Sequence, residues 1–180
     1  MTAPRAPLQI DPELQRKLGF TFLALLIYRV GAHIAAPGVN VQALADFIKN
    51  SAAAGFLGLY DTLGGGLSKA TIFALGIMPY ISASIVFQLA GGIFPSIGKM
   101  QKDEEGKKKL TQWTRYTTVL IAFLQSYTFA LFTESIPGAM PGAGPVSRVI
   151  MVVTLTTGAI FVMWLGEQIT ERGIGNGMSL

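Results

Sequence analysis

Four long apolar segments, separated by short polar ones, set the pattern of this chain. They comprise residues 18–36, 70–94, 116–133 and 149–165. An α-helix needs about 20 apolar residues to cross the hydrocarbon layer of a membrane, and each segment is close to that length. The pattern therefore predicts an all-α, polytopic membrane protein in which these segments are transmembrane helices.

The polar segments each carry a prediction of their own. Residues 1–17 form a polar arm in which Asp11-Pro12-Glu13 is typical of a helix start, and this polar beginning predicts no cleavable signal peptide. Residues 41–48 have the spacing of an amphipathic helix lying at the membrane surface. Residues 166–180 form the polar end of the chain, in which the fourth helix continues beyond its apolar part as far as Gly173, its predicted stop.

The second apolar segment has the most unusual sequence. Gly64-Gly65-Gly66 just before it permits almost any backbone path, while Pro79 removes a backbone donor in mid-segment and predicts a bend. At about 100° per residue, one face carries a mixture of branched apolar and hydrogen-bonding side chains: Ile77, Ile81, Ser84 and Gln88. Broken backbone is tolerated in a bilayer only beside protein or a water-filled cavity. The prediction is a re-entrant glycine-rich segment followed by a kinked helix that borders a cavity.

The composition agrees with a membrane protein and excludes several classes of site. Hydrophobic residues make up 51% of the chain and charged residues 13%, against about 25% charged in soluble domains, and the mean hydropathy is +0.48. With no cysteine and a single histidine, His33, disulfides and thiolate or histidine metal sites are not expected. The sequence has no HExxH, Ser/His/Asp or P-loop pattern. We therefore expect no enzyme and no cofactor, but passage or gating.

Lysine and arginine are distributed unevenly between the two sides of the predicted membrane. Residues 95–115 are predicted to be a solvated loop, with docking of an anionic or ribosome-like partner as the alternative. By the positive-inside rule the richer side is cytoplasmic, which places both ends of the chain there and the glycine-rich segment outside. Ten basic residues lie on the cytoplasmic side: Arg5, Arg16, Lys17, Lys99, Lys102, Lys107, Lys108, Lys109, Arg115 and Arg172. Three lie on the other: Lys49, Lys69 and Arg148.

Two pairs of polar residues lie in or beside the apolar segments. Arg29 and His33 are four residues apart and share a helix face. An arginine near a helix end reaches the headgroups with its long side chain, and a functional role inside the membrane is the alternative. Glu167 and Glu171 also share a face, beyond the apolar segment, so we interpret them as a cap at the membrane surface.

Two stretches of the chain resemble signatures of a known family. Residues 67–85, LSKATIFALGIMPYISASI, closely resemble the second-helix signature of the SecY family, the central subunit of the protein-conducting channel. Residues 163–177, MWLGEQITERGIGNG, resemble a second signature, which follows the fourth helix of the family, and TQWTRY at residues 111–116 fits as well. The resemblance covers essentially the whole chain. It implies the N-terminal half of an inverted-repeat channel fold, incomplete, with about four of the ten helices.

The resemblance also implies roles for individual residues. Ile77 and Ile81 match two members of an apolar pore ring at the constriction of the channel. Residues 55–70 correspond to a plug that fills the outer vestibule, centred on Leu63, Gly64, Gly65, Gly66 and Leu67. The side chains implied for the lateral gate, through which apolar signal sequences meet lipid, are Ser82, Ile85 and Gln88.

The function implied is protein secretion across, and lateral insertion into, a bacterial-type plasma (inner) membrane. The implied partners are SecE-like and SecG-like membrane subunits, a SecA-type ATPase, the ribosome, signal-sequence-bearing preproteins and membrane lipids, without direct nucleotide binding. Three alternatives remain. A secondary transporter also uses broken helices, although residues 70–94 carry no charged group; a membrane enzyme or cofactor subunit is the second, and a non-conducting fragment of the channel is the third.

Overall fold

The all-α prediction is confirmed by a computed structural model, which describes residues 11–50, 55 and 69–179. Helices account for most of the described residues, and the only pairing of extended backbone recorded among them is an isolated bridge between Ala35 and Thr71. The helices are α1 (Pro12–Gly31), α2 (Val41–Asn50), α3 (Met78–Ile93), α4 (Pro95–Lys102), α5 (Glu104–Ser135) and α6 (Pro145–Arg172).

The scaffold is the antiparallel pair α5 and α6. Along α5 a small, hydroxyl-bearing or apolar side chain is buried at nearly every fourth position, which lets the two backbones approach closely. These residues are Gly106, Leu110, Thr114, Thr118, Ala122, Ser126 and Ala130. Thr118 Oγ1 donates to the Thr114 carbonyl at 2.7 Å, and Thr156 Oγ1 of α6 donates to Ser126 Oγ at 3.0 Å. The buried hydroxyls are therefore satisfied within the pair.

An ion pair closes the end of this hairpin where α5 stops and α6 begins. Arg148 Nη2 lies 2.6 Å from Glu134 Oε2, and its Nε donates to the same oxygen at 2.9 Å. The same end holds the main buried cluster, to which α2 contributes Leu44 and Ile48. Because α2 buries one face and exposes the other, the amphipathic helix predicted from residues 41–48 is confirmed.

Residues 70–77 are not helical and pack between α1 and α6. The aromatic ring of Phe73 stacks between Tyr28 of α1 and Phe161 of α6, with ring centroids 5.7 Å apart in each pair. Room for the segment comes from two glycines: a Cβ at Gly31 would collide with the Phe73 ring, and a Cβ at Gly158 would collide with the backbone carbonyl of Ile72. The segment is thus wedged between the two helices.

Backbone hydrogen bonds fix the same segment to the chain that follows α1. The Ala36 N–H donates to the Ala70 carbonyl at 2.7 Å, and the Ile72 N–H donates to the Ile34 carbonyl at 2.9 Å. These bonds give partners to the backbone groups of a buried segment, which is the condition for irregular backbone inside a bilayer.

The predicted kink at Pro79 is wrong, because no helix precedes this proline. α3 begins at Met78, so Pro79 stands in its first turn, where the missing N–H has no intrahelical partner to lose. Gly76 has φ of +52°, a conformation that ends any helical path from residue 70. The sharp bend lies instead at Pro95, where α3 and α4 meet at 112°.

The segment predicted to be a solvated loop, residues 95–115, is helical and mostly exposed. Pro95 starts α4, and Gln101 Nε2 of α4 donates to the Phe87 carbonyl of α3 at 3.1 Å. Asp103 then caps α5 by accepting from the Gly106 N–H at 3.3 Å. Lysine is a good helix former, so the basic residues that follow belong to the first turns of α5.

Two of the helix ends predicted from the sequence agree with the structure, and a third differs. The predicted start at Asp11-Pro12-Glu13 and the predicted stop at Gly173 are confirmed, since α1 begins at Pro12 and α6 ends at Arg172. The first apolar segment, residues 18–36, is not helical throughout, because α1 ends at Gly31 and the next residues turn toward the bridge with Thr71.

Within the part of the chain that the structure describes, α5 and α6 are long and apolar enough to cross a membrane. The bent pair of α3 and α4 adds a third if it is one broken span. α1 carries too many charges to count as such a helix, because every 18-residue stretch of it contains Arg16, Lys17 and Arg29. A crossing by residues 18–36 therefore stays a prediction.

Replacing Phe73 with alanine should destabilise the fold by about 3–5 kcal/mol, the usual cost of emptying a buried aromatic site. The measurement is thermal or denaturant unfolding of the detergent-solubilised full-length protein. Phe123→Ala is the matched control, since the Phe123 side chain on α5 is 50% exposed and should change stability little. Equal effects of the two substitutions would show that the stack at Phe73 does not hold α1 against α6.

Candidate functional site

A cleft of about 430 Å³ opens between α3 and α6. The α3 wall combines an aromatic, two branched apolar and two hydrogen-bonding side chains: Tyr80, Ile81, Ser84, Ile85 and Gln88. The facing wall is polar and is formed by α5, α6 and the chain beyond α6: Thr111, Arg115, Glu167, Thr170, Glu171, Asn176 and Met178. The cleft therefore has one largely apolar side and one charged side.

The mixed face predicted on the second apolar segment is largely reproduced. Ile81, Ser84 and Gln88 line the same cleft, and Gln88 Nε2 donates to Ser84 Oγ at 3.0 Å across one turn of α3. Ile85 also lines it, with 48% of its surface exposed. Ser82 is half-buried and does not line the cleft.

Ile77 lies at the head of α3 and lines a second cavity of about 250 Å³. Its carbonyl accepts the N–H groups of Tyr80 and Ile81 at 3.0 and 3.1 Å, which starts the helix. The other walls come from α1, α6 and the chain beyond α6: Ala24, Leu25, Tyr28, Val162, Leu165, Gly166, Ile169, Gly177, Met178 and Ser179. Ile77 and Ile81 therefore line different cavities that share Met178.

Sequence reasoning placed Glu167 at the membrane surface and missed its partner. Glu167 Oε1 accepts from Arg115 Nε at 2.7 Å, which joins the start of α5 to the end of α6 on the rim of the cleft. The Glu167 side chain is only 14% exposed and that of Arg115 is 44% exposed. The two residues lie 52 positions apart in the chain, so no local spacing in the sequence predicts their contact.

The chain beyond α6 is the other part of the site that the sequence did not predict. Residues 173–179, here the return segment, fold back along α6 and supply Asn176 and Met178 to the cleft. The only signal for this segment was its place inside the second family signature. Glu171 also lines the cleft.

The position of the predicted plug residues stays a prediction. Leu63, Gly64, Gly65, Gly66 and Leu67 lie outside the described residues. The described end of the predicted plug is Ala70, which is fully buried beside α1. Among the residues that the structure does describe, no three His, Asp or Glu side chains are grouped to hold a metal ion.

Breaking the Arg115–Glu167 pair should cost about 1 kcal/mol, because water and salt screen a pair whose arginine is half-exposed. We expect this loss for Arg115→Met and for Glu167→Gln in unfolding of the full-length protein in detergent. The charge swap, Arg115→Glu with Glu167→Arg, should recover most of it, and Lys109→Met, an exposed lysine on the same helix, should change little. A swap as unstable as the single variants would mean that the two side chains are not energetically coupled.

The comparisons with known proteins point to one family. The SecY family model matches residues 71–180. The chain is similar to the protein translocase subunit SecY of Streptomyces griseus, with 46% identity over 94% of this chain and 41% of that protein. It is similarly related to SecY of Escherichia coli K12, with 44% identity over 93% of this chain and 39% of that protein. The chain therefore spans well under half the length of these relatives.

Solved structures share the fold along the whole chain. The channel of a canine ribosome-channel complex from the endoplasmic reticulum superposes with a TM-score of 0.66 at 20% identity, covering 100% of this chain and 38% of that one. A protein conducting channel gives a TM-score of 0.65 at 21% identity, with the same coverage. Since the family model and the relatives agree with this fold, the chain belongs to the SecY family.

Proposed function

We propose that this chain forms part of a protein-conducting channel for secretion across, and lateral insertion into, the membrane. The observation that carries the proposal is the position of Ile77 and Ile81 at the head of α3, where Ile77 lines a cavity and Ile81 lines the adjoining cleft. The relatives from Streptomyces griseus and Escherichia coli are named as translocase subunits. The same activity is inferred here for the protein of which these residues are part.

Ile77 and Ile81 act in this proposal as two members of an apolar pore ring. Branched aliphatic side chains offer ions no ligands, so a narrow ring of them resists the passage of water and ions. Both side chains are half-buried. That degree of burial supports a lining role over contact with lipid.

Ser82, Ile85 and Gln88 form the α3 side of a lateral gate in the same proposal. Their half-buried or exposed positions leave α3 free to meet an apolar signal sequence arriving from the cleft or from lipid. A signal sequence that binds the open arrangement more tightly would shift the population toward it.

The plug in this proposal comprises residues 55–70 and includes Leu63, Gly64, Gly65, Gly66 and Leu67. Support comes from its described end. The Ala70 carbonyl accepts from the Ala36 N–H, so this end is anchored to the chain that follows α1. Displacement of the glycine-rich part would open the conduit.

The proposed partners are SecE-like and SecG-like subunits, a SecA-type ATPase, the ribosome, preproteins and lipids. One structural neighbour is itself part of a ribosome-channel complex. Exposed lysines on α4 and the start of α5 offer a positive surface for anionic partners: Lys99, Lys102, Lys107, Lys108 and Lys109. With no nucleotide motif in the sequence, the energy for transport is assigned to the partners.

The proposed orientation has both ends of the chain on the cytoplasmic side of a bacterial-type plasma membrane. Arg16 and Lys17 of α1 and Arg172 of α6 surround one pocket, so basic groups from both ends gather together. The positive-inside rule assigns such an end to the cytoplasm.

Substituting Ile77 and Ile81 with serine in the full-length channel should raise the resting ion conductance, because smaller polar side chains admit water to the ring. The measurement is conductance in planar bilayers. Val86→Ser on the same helix, at a side chain 55% exposed, is the matched control and should leave conductance unchanged. An unaltered conductance in the double variant would contradict the ring.

Arg29→Leu should leave protein translocation into vesicles mostly intact, because the Arg29 side chain is exposed near the end of α1 and is free to reach headgroups. The secondary-transporter alternative requires uptake of a small substrate that depends on this charge. A complete loss of translocation in the variant would show that Arg29 acts in the channel itself.

A further inference from the structure

The short helix α4 lies between the C-terminal end of α3 and the start of α5, and glycines make room for it on both sides. A Cβ at Gly91 of α3 would collide with the Gln101 side chain of α4, and one at Gly98 of α4 would lie 2.7 Å from the Gly91 carbonyl oxygen. On the other side, a Cβ at Gly106 of α5 would collide with the Met100 carbonyl. α4 therefore packs closely on both helices.

A side-chain hydrogen bond spans the bend between α3 and α4. Gln101 Nε2 of α4 donates to the Phe87 carbonyl of α3 at 3.1 Å, one turn before Gly91. The Gln101 side chain is half-buried, which limits competition from water for this bond. Because the two helices meet at 112°, the bond joins elements that no continuous helix connects.

The rest of α3 has few contacts that hold its C-terminal end. The buried residues of this helix are Pro79 and Ala83, and both lie in its first half. Nearer the C-terminal end, the Phe87 ring contacts the Trp113 ring of α5, with centroids 6.4 Å apart, and Trp113 is 48% exposed. The contact through α4 is therefore a large part of what fixes this end of α3.

We propose that Gln101 is a positioning residue, which ties the C-terminal end of α3, through α4, to the pair α5 and α6. While its bond to Phe87 is made, Ser84 and Gln88, which lie within one turn of Phe87, keep their places in the cleft. When the bond breaks, α3 moves relative to α5 independently of α4. The effect of this tie on a lateral gate rests on the proposed function, whereas the tie itself does not.

The tie can be measured in the full-length protein without any transport. Residues 1–180 contain no cysteine, so two introduced cysteines can carry spin labels once any cysteine elsewhere in the protein is replaced. Leu89 of α3 and Leu120 of α5 are suitable positions, because their side chains are 63% and 60% exposed. Double electron–electron resonance then gives the distribution of distances between the two helices.

Gln101→Met, which keeps the length of the side chain and removes the donor, should broaden this distribution. We expect the ratio of displaced to tied α3 to rise about fivefold, the change that loss of a hydrogen bond of about 1 kcal/mol gives. Gly91→Ala should have the same effect, because its Cβ takes the space of the Gln101 amide. The double variant should add nothing further, since both substitutions remove one interaction.

Two control variants separate the hydrogen bond from general effects on the helices. Gly92→Ala is matched to Gly91→Ala, because a Cβ at Gly92 meets nothing within 4 Å, and it should leave the distribution unchanged. Gln101→Lys keeps an N–H donor on a long side chain and should retain the narrow distribution.

An unchanged distribution in both Gln101→Met and Gly91→Ala would overturn the proposal. Equal broadening in Gly92→Ala would also overturn it, because the effect would then come from the added methyl group and not from Gln101. Additive broadening in the double variant would show that Gly91 and Gln101 act separately, which contradicts a single tie.

The gate has a separate readout, which is translocation of a preprotein whose signal sequence has a shortened apolar segment. Such a signal supplies less differential affinity for the open arrangement, so Gln101→Met should raise its translocation relative to that of the intact preprotein. Broadening without this increase would keep the tie and reject its role in the gate of the proposed function. The two failures are therefore distinguishable.

Discussion

The ring of Phe73, inserted between α1 and α6, is the contact on which the rest of the site depends. It occupies the space left by Gly31 and Gly158 and stacks on one aromatic ring from each helix. It adds to the direct contact between the two helices, in which Ala24 of α1 packs with Leu165 and Ile169 of α6. The position of Ile77, only four residues later, follows from the same contact, so the cavity beside Ile77 is defined by the packing of a segment that is not helical.

Irregular backbone inside a bilayer requires internal partners, and the fold supplies them in two ways. Residues 70–72 pair with the chain after α1 through backbone hydrogen bonds, and buried hydroxyls on α5 donate to carbonyls one turn back. Among the described residues, Thr71 Oγ1 and Gln125 Oε1 are the exceptions, since each is buried without a partner. In a bilayer each unsatisfied polar group is costly, so these local bonds are a condition of the site.

Much of the helical pattern could be predicted from the sequence because it depends on local chemistry. Asp11 and Pro12 start α1, one apolar face defines α2, and Gly173 stops α6. The kink predicted at Pro79 was wrong because a proline is suited both to the first turn of a helix and to a kink within one. Only the positive φ of Gly76 shows that the helix begins here. Arg115 and Glu167 could not be paired from the sequence, since their contact depends on how two distant helices pack.

The walls of the site differ in how much of their surface is buried, and this difference has a physical basis. α5 and α6 are tied at both ends by ion pairs and along their length by small buried residues, so their separation resists change. α3 has only Pro79 and Ala83 fully buried along its length and turns sharply into α4, so fewer contacts oppose its movement. In the conduit proposed above, α6 is assigned the fixed wall and α3 the yielding wall, because α6 buries far more of its length than α3 does.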